Sequence, residues 1–403
     1  MAEILCSTAP CSRVWPAVRI FSEARLQRHT DGTVHVVDVS SGADAWDVYV
    51  DRLGAVDLAA RVAPPDGTIG VPLGRMSVHA LPFYSGPRQL VRRLPSVLAA
   101  VLAATQDPAV CLFRLPGTLG LAGGAWCRLR RRRYAVEVVG DPQDVLRSGV
   151  LGPAGRALAP VVGRLMAWVV GGAAAGRYVT ESTLQSLYPL AADVPEHRYS
   201  NVRLAVEDFT RGPRDGRRPL RRLLAVGTHD QLYKGHDDLI RAVALLRDRG
   251  VDVRLDLVGD GRHHGELRDL ARTTGVADRV HFHGRVNDRA VLRRLLDEAD
   301  LFCMPSRTEG LPRALIEAMA RGVPAIGTGV GGIPELLEAR YRVPPDDPAG
   351  LAELIARFAD GSADAVAASR SCWLRAQHFR PEHQATRIAA WLDEIASLTR
   401  SGT

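Results

Sequence analysis

Lysine is nearly absent from this sequence: of its 52 Lys and Arg residues, only Lys234 is a lysine. A formal charge of +7 carried by arginine reads first as a solvated surface, and second as a surface for anions such as a phosphate or diphosphate. Aromatic residues make up 5% of the chain. They give no stacking motif for nucleic acid, and there is no recognition-helix motif either. The six cysteines, Cys6, Cys11, Cys111, Cys127, Cys303 and Cys372, form no Cys-x-x-Cys pair and no Cys/His cluster at zinc spacing. That argues against a zinc module and points to a reduced, cytoplasmic chain. The opening MAEILCSTAP lacks a charged region followed by a long apolar core, so it reads as a first strand and not as a signal peptide. A spanning helix needs about 20 apolar residues. The stretch Val161–Ala175 is shorter and is interrupted by Arg164, so it reads as a helix of an N-terminal lobe, with peripheral membrane contact left open.

What is present is a chain of 403 residues, 46% hydrophobic and 24% charged, with the balance of a soluble globular protein of two domains. The N-terminal part reads as a strand at Glu3–Ser7, an amphipathic helix around Ala17–Arg28 and a strand at Val34–Val39. Further strands are expected at Val48–Val50, Ala109–Arg114 and Tyr134–Val139, with a helix over Leu90–Ala104. The polar, Gly- and Pro-bearing stretch from Glu207 to Pro219 has linker chemistry. Beyond it strands and helices alternate regularly from Arg222 to Thr328, the pattern of a parallel α/β lobe. The expected organisation is an N-terminal Rossmann-like domain over 1–206, a linker over 207–219 and a C-terminal Rossmann-like domain over 220–375. The remainder, 376–403, is a C-terminal helix that can pack back on the first lobe. No close internal repeat suggests a solenoid.

Ligands of open α/β sheets bind beyond the carboxyl ends of the strands, where helix N-termini present unpaired N–H groups to anions. Three loops of the second lobe fit. One runs from Gly227 and Thr228 to Lys234 and Gly235, one carries Gly259 and Gly261, and one leads through Glu309, Gly310, Leu311 and Pro312 into a helix bearing Glu317. Each has a plain reading as well: the glycines as turns, Glu317 as a solvated charge, Glu309 as a cap. Lys234 is harder to set aside, because one ammonium kept among arginines suggests a compact point charge, as at a phosphate.

The run PSRTEGLPRALIEAMARGVPAIGTGVGGIPELL, with Glu309 and Glu317 separated by seven residues, resembles the donor lobe of glycosyltransferase family 4. Ala320, Gly322 and Pro324, the Gly331–Glu335 run, Gly259-x-Gly261, His283–Val286 and Tyr233-Lys234-Gly235 extend the resemblance over about residues 222–340. It implies a GT-B fold: two facing Rossmann-like, doubly wound α/β domains with an inter-domain cleft. The acceptor would lie on the first domain and a nucleoside-diphosphate sugar on the second. By the family pattern Glu317 binds the ribose hydroxyls and Glu309 the donor sugar. The backbone N–H groups of Gly310, Leu311 and Arg313, the neighbour of Pro312, lie at a helix start and hold the distal phosphate, and Lys234 neutralises the leaving diphosphate. Arg285 and Val286 lie at the base. The nucleotide sugar is a co-substrate, no cofactor is required, and no metal is expected because no Asp-x-Asp motif serves the diphosphate. The resemblance further implies retention at the anomeric carbon by front-face displacement, with a small molecule, lipid or saccharide as acceptor.

Two departures stand out. Where the family carries an arginine ahead of the lysine, this chain has Thr228 and His229, which leaves a second cation to be found; Arg307 and Arg313 are near in sequence. The loop Ser7–Arg13 lacks the usual paired glycines. On the first lobe, Asp141 after the strand Tyr134–Val139 is a catalytic candidate for orienting the acceptor hydroxyl, or else an Asp-Pro turn. The run Arg128–Arg133 suits an anionic membrane, an acidic acceptor or simply solvent. Two other readings are a nucleotide-sugar epimerase or sugar phosphorylase of the same fold, and a non-enzymatic binder of anionic polymers with steep salt dependence.

Overall fold

The computed structural model describes residues 17–37, 44–64, 70–106, 110–147, 152–215, 219–361 and 363–400. The expected strand Glu3–Ser7 and the loop Ser7–Arg13 lie outside these residues, as do Asp38 and Val39 of the expected second strand.

Among the described residues the first lobe is built on nine strands. They are β1 (Val18–Arg28), β2 (Val34–Val36), β3 (Val56–Ala63), β4 (Val71–Pro72), β5 (Ser77–Leu81), β6 (Val110–Leu115), β7 (Tyr134–Val138), β8 (Ala175–Tyr178) and β9 (Glu196–Arg198). Strands β5, β3, β1, β6, β7, β8 and β9 run side by side and parallel, while β2 and β4 pair antiparallel off the far end of β1. The helices are α1 (Asp44–Leu53), α2 (Gly86–Ala104), α3 (Thr118–Leu129), α4 (Pro142–Val145), α5 (Gly152–Val170) and α6 (Thr183–Leu187). One face of the sheet packs α2, α3 and α5 through Val97, Val101, Leu119, Cys127, Met166 and Val169. The other face packs α1 through Trp46 and Tyr49.

Two local expectations are corrected here. Residues Val18–Arg28 form the central strand β1, not a helix. A strand covered on both faces loses strict alternation, and its polar side chains find partners on neighbouring strands. Buried Arg19 donates to Asp57 of β3 at 2.9 Å and to the Ala104 carbonyl at 2.6 Å. Residues Val48–Val50 lie inside α1, where Tyr49 turns inward and Val48 and Val50 border the same core.

The second lobe has six parallel strands, β10 (Arg222–Val226), β11 (Arg254–Val258), β12 (Val280–Gly284), β13 (Leu301–Met304), β14 (Ala325–Thr328) and β15 (Arg342–Val343), in the order β12-β11-β10-β13-β14-β15. This is the doubly wound order, which reverses direction between β10 and β13. The helices are α7 (His236–Asp248), α8 (His264–Thr273), α9 (Arg289–Glu298), α10 (Arg313–Ala320), α11 (Ile333–Leu336), α12 (Pro348–Ala359) and α13 (Ala365–Ala376). Apolar clusters on both faces of the sheet hold them.

The last helix, α14 (Pro381–Arg400), returns to the first lobe, where Trp391, Leu392, Ile395 and Leu398 join the cluster around Val18, Ile20 and Trp46. A buried ionic network anchors it. Glu137 of β7 accepts from Arg177 at 2.9 Å, Arg114 at 3.0 Å, the Trp391 indole at 3.2 Å and the Tyr49 hydroxyl. Burial alone would raise the Glu137 carboxyl, but Arg177 and Arg114 overcome it and hold the pKa down to about 2. No helix among the described residues is long and apolar enough to cross a membrane.

Candidate active site

The reversal of strand order brings the loops after β10 and β13 together, and these carry the two most telling side chains of the sequence. Lys234 Nζ lies 2.7 Å from Glu309 Oε1, and the Ser306 hydroxyl donates to the same oxygen at 2.7 Å. The side chains are 17% and 8% exposed, so the pair is largely desolvated. Burial disfavours the ammonium, yet the Glu309 charge outweighs it and raises the Lys234 pKa. Backbone bonds fasten the two loops to each other and to their neighbours: Arg307 N–H to the Tyr233 carbonyl at 2.7 Å, and Gly332 N–H to the Gly310 carbonyl at 2.7 Å.

The glycines of these loops do more than turn. Gly259 has φ +149°, and a Cβ there would stand 1.8 Å from the Gly227 carbonyl oxygen; Gly227 N–H in turn bonds the Val258 carbonyl at 2.9 Å. Gly261 abuts Asp230 and Gly227 abuts the Lys234 stem in the same way. Side chains at these places would push apart the loops that carry Lys234. Thr228 bonds locally, its hydroxyl accepting from Asp230 N–H at 3.1 Å.

Glu309 leads through Gly310, Leu311 and the buried N-cap Pro312 into α10, which begins at Arg313, two residues later than the sequence suggests. Its first N–H groups have no intrahelical partner, as in any helix. Glu317 lies one turn beyond Arg313. Burial raises its carboxyl pKa, with the charges of Arg313 and Arg289 opposing, and its carboxylate makes no hydrogen bond to a described residue. Arg313 is within electrostatic range of both Lys234 and Glu317. Arg307, the other arginine near in sequence, is occupied: it pairs with Asp237 at 2.8 Å and also with Asp238 and Asp346. His229 is also turned away from an anion-binding role. It is 1% exposed, its Nδ1 lies 3.1 Å from His264 Nδ1, and burial, with His264 adding to it, lowers its pKa to about 4. Beyond β12, Arg285 is exposed and Val286 packs at the edge of the apolar cluster. His283 is held by Asp256 at 2.6 Å. Among the described residues no three His, Cys, Asp or Glu side chains gather as a metal site.

The first lobe meets this site closely. A Cβ on Gly310 would lie 2.1 Å from the Val139 carbonyl oxygen, and Leu311 packs against the cores of both lobes. Asp141, two residues beyond Val139, is buried. Its Oδ1 caps α4 by accepting Gln143 N–H at 2.8 Å and also takes the Tyr188 hydroxyl. Its geometry is thus that of the capped Asp-Pro turn.

Two contacts escaped the sequence reading. Glu335 of α11 reaches across to the start of α6, accepting Glu181 N–H at 2.7 Å, Ser182 N–H at 2.9 Å, Thr183 N–H at 2.7 Å and the hydroxyls of Ser182 and Thr183 at 3.2 and 2.7 Å. Those bonds outweigh burial and lower its pKa. On the first lobe, Glu23 sits where the β1 pairing register shifts. It pairs with Arg61 at 3.0 Å and accepts the Tyr84 hydroxyl at 3.2 Å and Leu119 N–H at 3.0 Å. Neither had a local signal: Glu335 acts on residues some 150 positions away, and Glu23 lay in a stretch with a helical reading.

Comparison with known proteins bears on the fold and on the second lobe. The fold is GT-B. A sucrose-phosphate synthase from Thermosynechococcus elongatus superposes with a TM-score of 0.67 at 19% identity, covering 96% of this chain and all of that one. HepE of Anabaena in complex with UDP-glucose gives a TM-score of 0.59 at 17% identity over 96% of this chain and 99% of that one. Residues 221–360 match the family model described as Glycosyl transferases group 1, so the second lobe carries that domain. Among curated relatives, protein CapJ of Staphylococcus aureus is 28% identical over 286 residues, 70% of this chain and 71% of CapJ. The domain match and the fold together support the glycosyltransferase class.

Proposed function

We propose that this chain is a retaining glycosyltransferase that moves a hexose-like sugar from a nucleoside diphosphate to the hydroxyl of a small molecule, lipid or saccharide. The observation that carries the reading is the desolvated Lys234–Glu309 pair at the β10/β13 reversal, beside the start of α10. An ammonium has three donors, so Lys234 keeps the Glu309 bond and turns its remaining N–H groups to the diphosphate. Arg313 supplies the second positive charge that Thr228 does not, and the first N–H groups of α10 add theirs. This charge is fixed before the reaction and is strongest where water is excluded, which favours the transition state in which the phosphate leaves. Glu309 offers its second carboxylate oxygen to a sugar hydroxyl, and Glu317, whose carboxylate has no hydrogen-bond partner among the described residues, takes the ribose diol. In front-face displacement the departing phosphate oxygen accepts the acceptor's proton, so no protein nucleophile is required. Asp141 is a positioning residue, shaping the acceptor side through its hold on α4 and Tyr188. The UDP-glucose complex of HepE supports a nucleotide-sugar donor.

Thermal-shift measurement against UDP-, GDP-, ADP- and dTDP-sugars tests this directly. One donor is expected to raise the melting temperature, and the product formed with acceptor is expected to keep the donor's anomeric configuration by NMR. No stabilisation by any nucleotide sugar would sink the proposal. Isomerised sugar without an acceptor would transfer the site to an epimerase.

A further inference from the structure

The three helices that cover one face of the first lobe, α2, α3 and α5, have 19, 12 and 19 residues and contain no Asp, Glu or Lys, in a chain that carries 45 acidic residues. Their inner sides share one apolar cluster, with α3 between α2 and α5. Their outer sides are not the polar face that a soluble lobe presents. On α5, Leu158, Val161, Leu165 and Trp168 are 48%, 58%, 38% and 38% exposed. Their spacing of three, four and three puts them on one stripe, and exposed Arg156 and Arg164 are the only charges of that helix. On α2, Val91 is 71% exposed beside exposed Arg88 and Arg92. The C-terminal end of α3 joins the same surface: the Arg128 guanidinium stacks 4.6 Å over the Trp168 ring, and Leu129 is 67% exposed.

We propose that this face of the first lobe binds the surface of an anionic lipid bilayer, with the α5 stripe at the depth of the acyl boundary and the arginines at the headgroups. An apolar stripe bounded by cations, with a tryptophan among them, is the composition of an interfacial helix. Scattered exposed apolar residues are ordinary on any protein. A row along one helix, with no acid on that helix, on α2 or on α3 and with Asp144 the single acid of α4, is not, and a nucleic acid would be met by the arginines without need of the row. The inference stands apart from the transferase reading, because binding is measured without turnover.

The test is co-sedimentation of the full chain with phosphatidylcholine vesicles, and with vesicles in which about a third of the lipid is phosphatidylglycerol. Binding is expected to the second and not the first, and to weaken at about 1 M salt, where the screening length falls to about 3 Å. The double variant Arg156→Gln/Arg164→Gln should lower partitioning at least tenfold, each arginine near the surface being worth on the order of fivefold. Leu158→Gln/Val161→Gln should lower it as well with little change in the thermal melt, these being the most exposed side chains of the stripe at 48% and 58%. Equal binding to both vesicles, or charge variants that bind like the parent, overturns the proposal. So does indifference to both vesicles, whether the stripe variants abolish self-association, which assigns the face to a second copy, or the arginine variants abolish DNA binding.

Discussion

The Lys234–Glu309 pair makes stability and catalysis separable. In Lys234→Met the Glu309 carboxylate, 8% exposed, keeps the Ser306 hydroxyl at 2.7 Å and loses its counter-charge. Removing one partner of a buried pair costs about 3–5 kcal/mol, and the surviving Ser306 bond puts this case near the lower figure. Glu309→Gln strands the ammonium and should cost about as much. The double variant Lys234→Met/Glu309→Gln leaves no buried charge, so it should recover most of the loss, giving a coupling energy of about 2 kcal/mol or more. Turnover should behave differently. In the proposed reaction the ammonium stabilises the leaving diphosphate, an effect worth about 10²–10³ in rate, and the double variant would not restore it. Urea unfolding measures the first quantity, and release of nucleoside diphosphate from the donor that stabilises the protein measures the second. Single variants that cost less than about 1 kcal/mol would mean that the pair is screened like a surface salt bridge. A double variant that turns over like the parent would make the pair purely structural.

Glu317→Gln should raise the donor KM roughly tenfold or more with the fold intact, since hydrogen bonds to a charged group are worth about 1.5–3 kcal/mol; unchanged KM would remove Glu317 from the ribose. Gly310→Ala sets a methyl 2.1 Å from the Val139 carbonyl oxygen, so the lobes must separate there and kcat should fall while each lobe remains folded by circular dichroism. Burial holds His236 at about 3 and His229 at about 4, below the ordinary 6.5. Below pH 6.5 the unfolded chain therefore binds more protons. The stability that these histidines contribute above pH 6.5 is lost as pH falls towards 4, by about 1.4 kcal/mol per pH unit for each, and His236→Phe should remove one share of that slope in urea unfolding at pH 7 and 5.

The second lobe was legible from the sequence because strands there alternate with helices at short range and each strand end carries its own loop. The strands Arg222–Val226, Leu301–Met304 and Ala325–Thr328 fall where the pattern sets them. The first lobe was less legible because its central strand depends on distant partners. Arg19 and Gln27 of β1 are buried polar groups, Arg19 against Asp57, and their periodicity resembles that of an amphipathic helix. Within the site, Lys234 and Glu309 stood out as residue types in a local motif. The occupation of Arg307 by Asp237, Asp238 and Asp346, the inward turn of His229 and the reach of Glu335 to α6 are long-range facts that no local spacing encodes.

The return of α14 to the first lobe means that the chain passes between the lobes twice, and the two passages lie side by side. Trp373 donates to the Thr210 carbonyl at 3.1 Å, Arg380 stacks 4.6 Å over Phe209, and Ser200 N–H bonds Gln384 at 3.2 Å. A single tether would let the second lobe swivel and twist freely. Two adjacent tethers constrain as the leaves of a door hinge do, permitting rotation about the line that joins them and resisting the rest, so that any such rotation would return Glu335 to the same N–H groups of α6 and Gly310 to the same carbonyl.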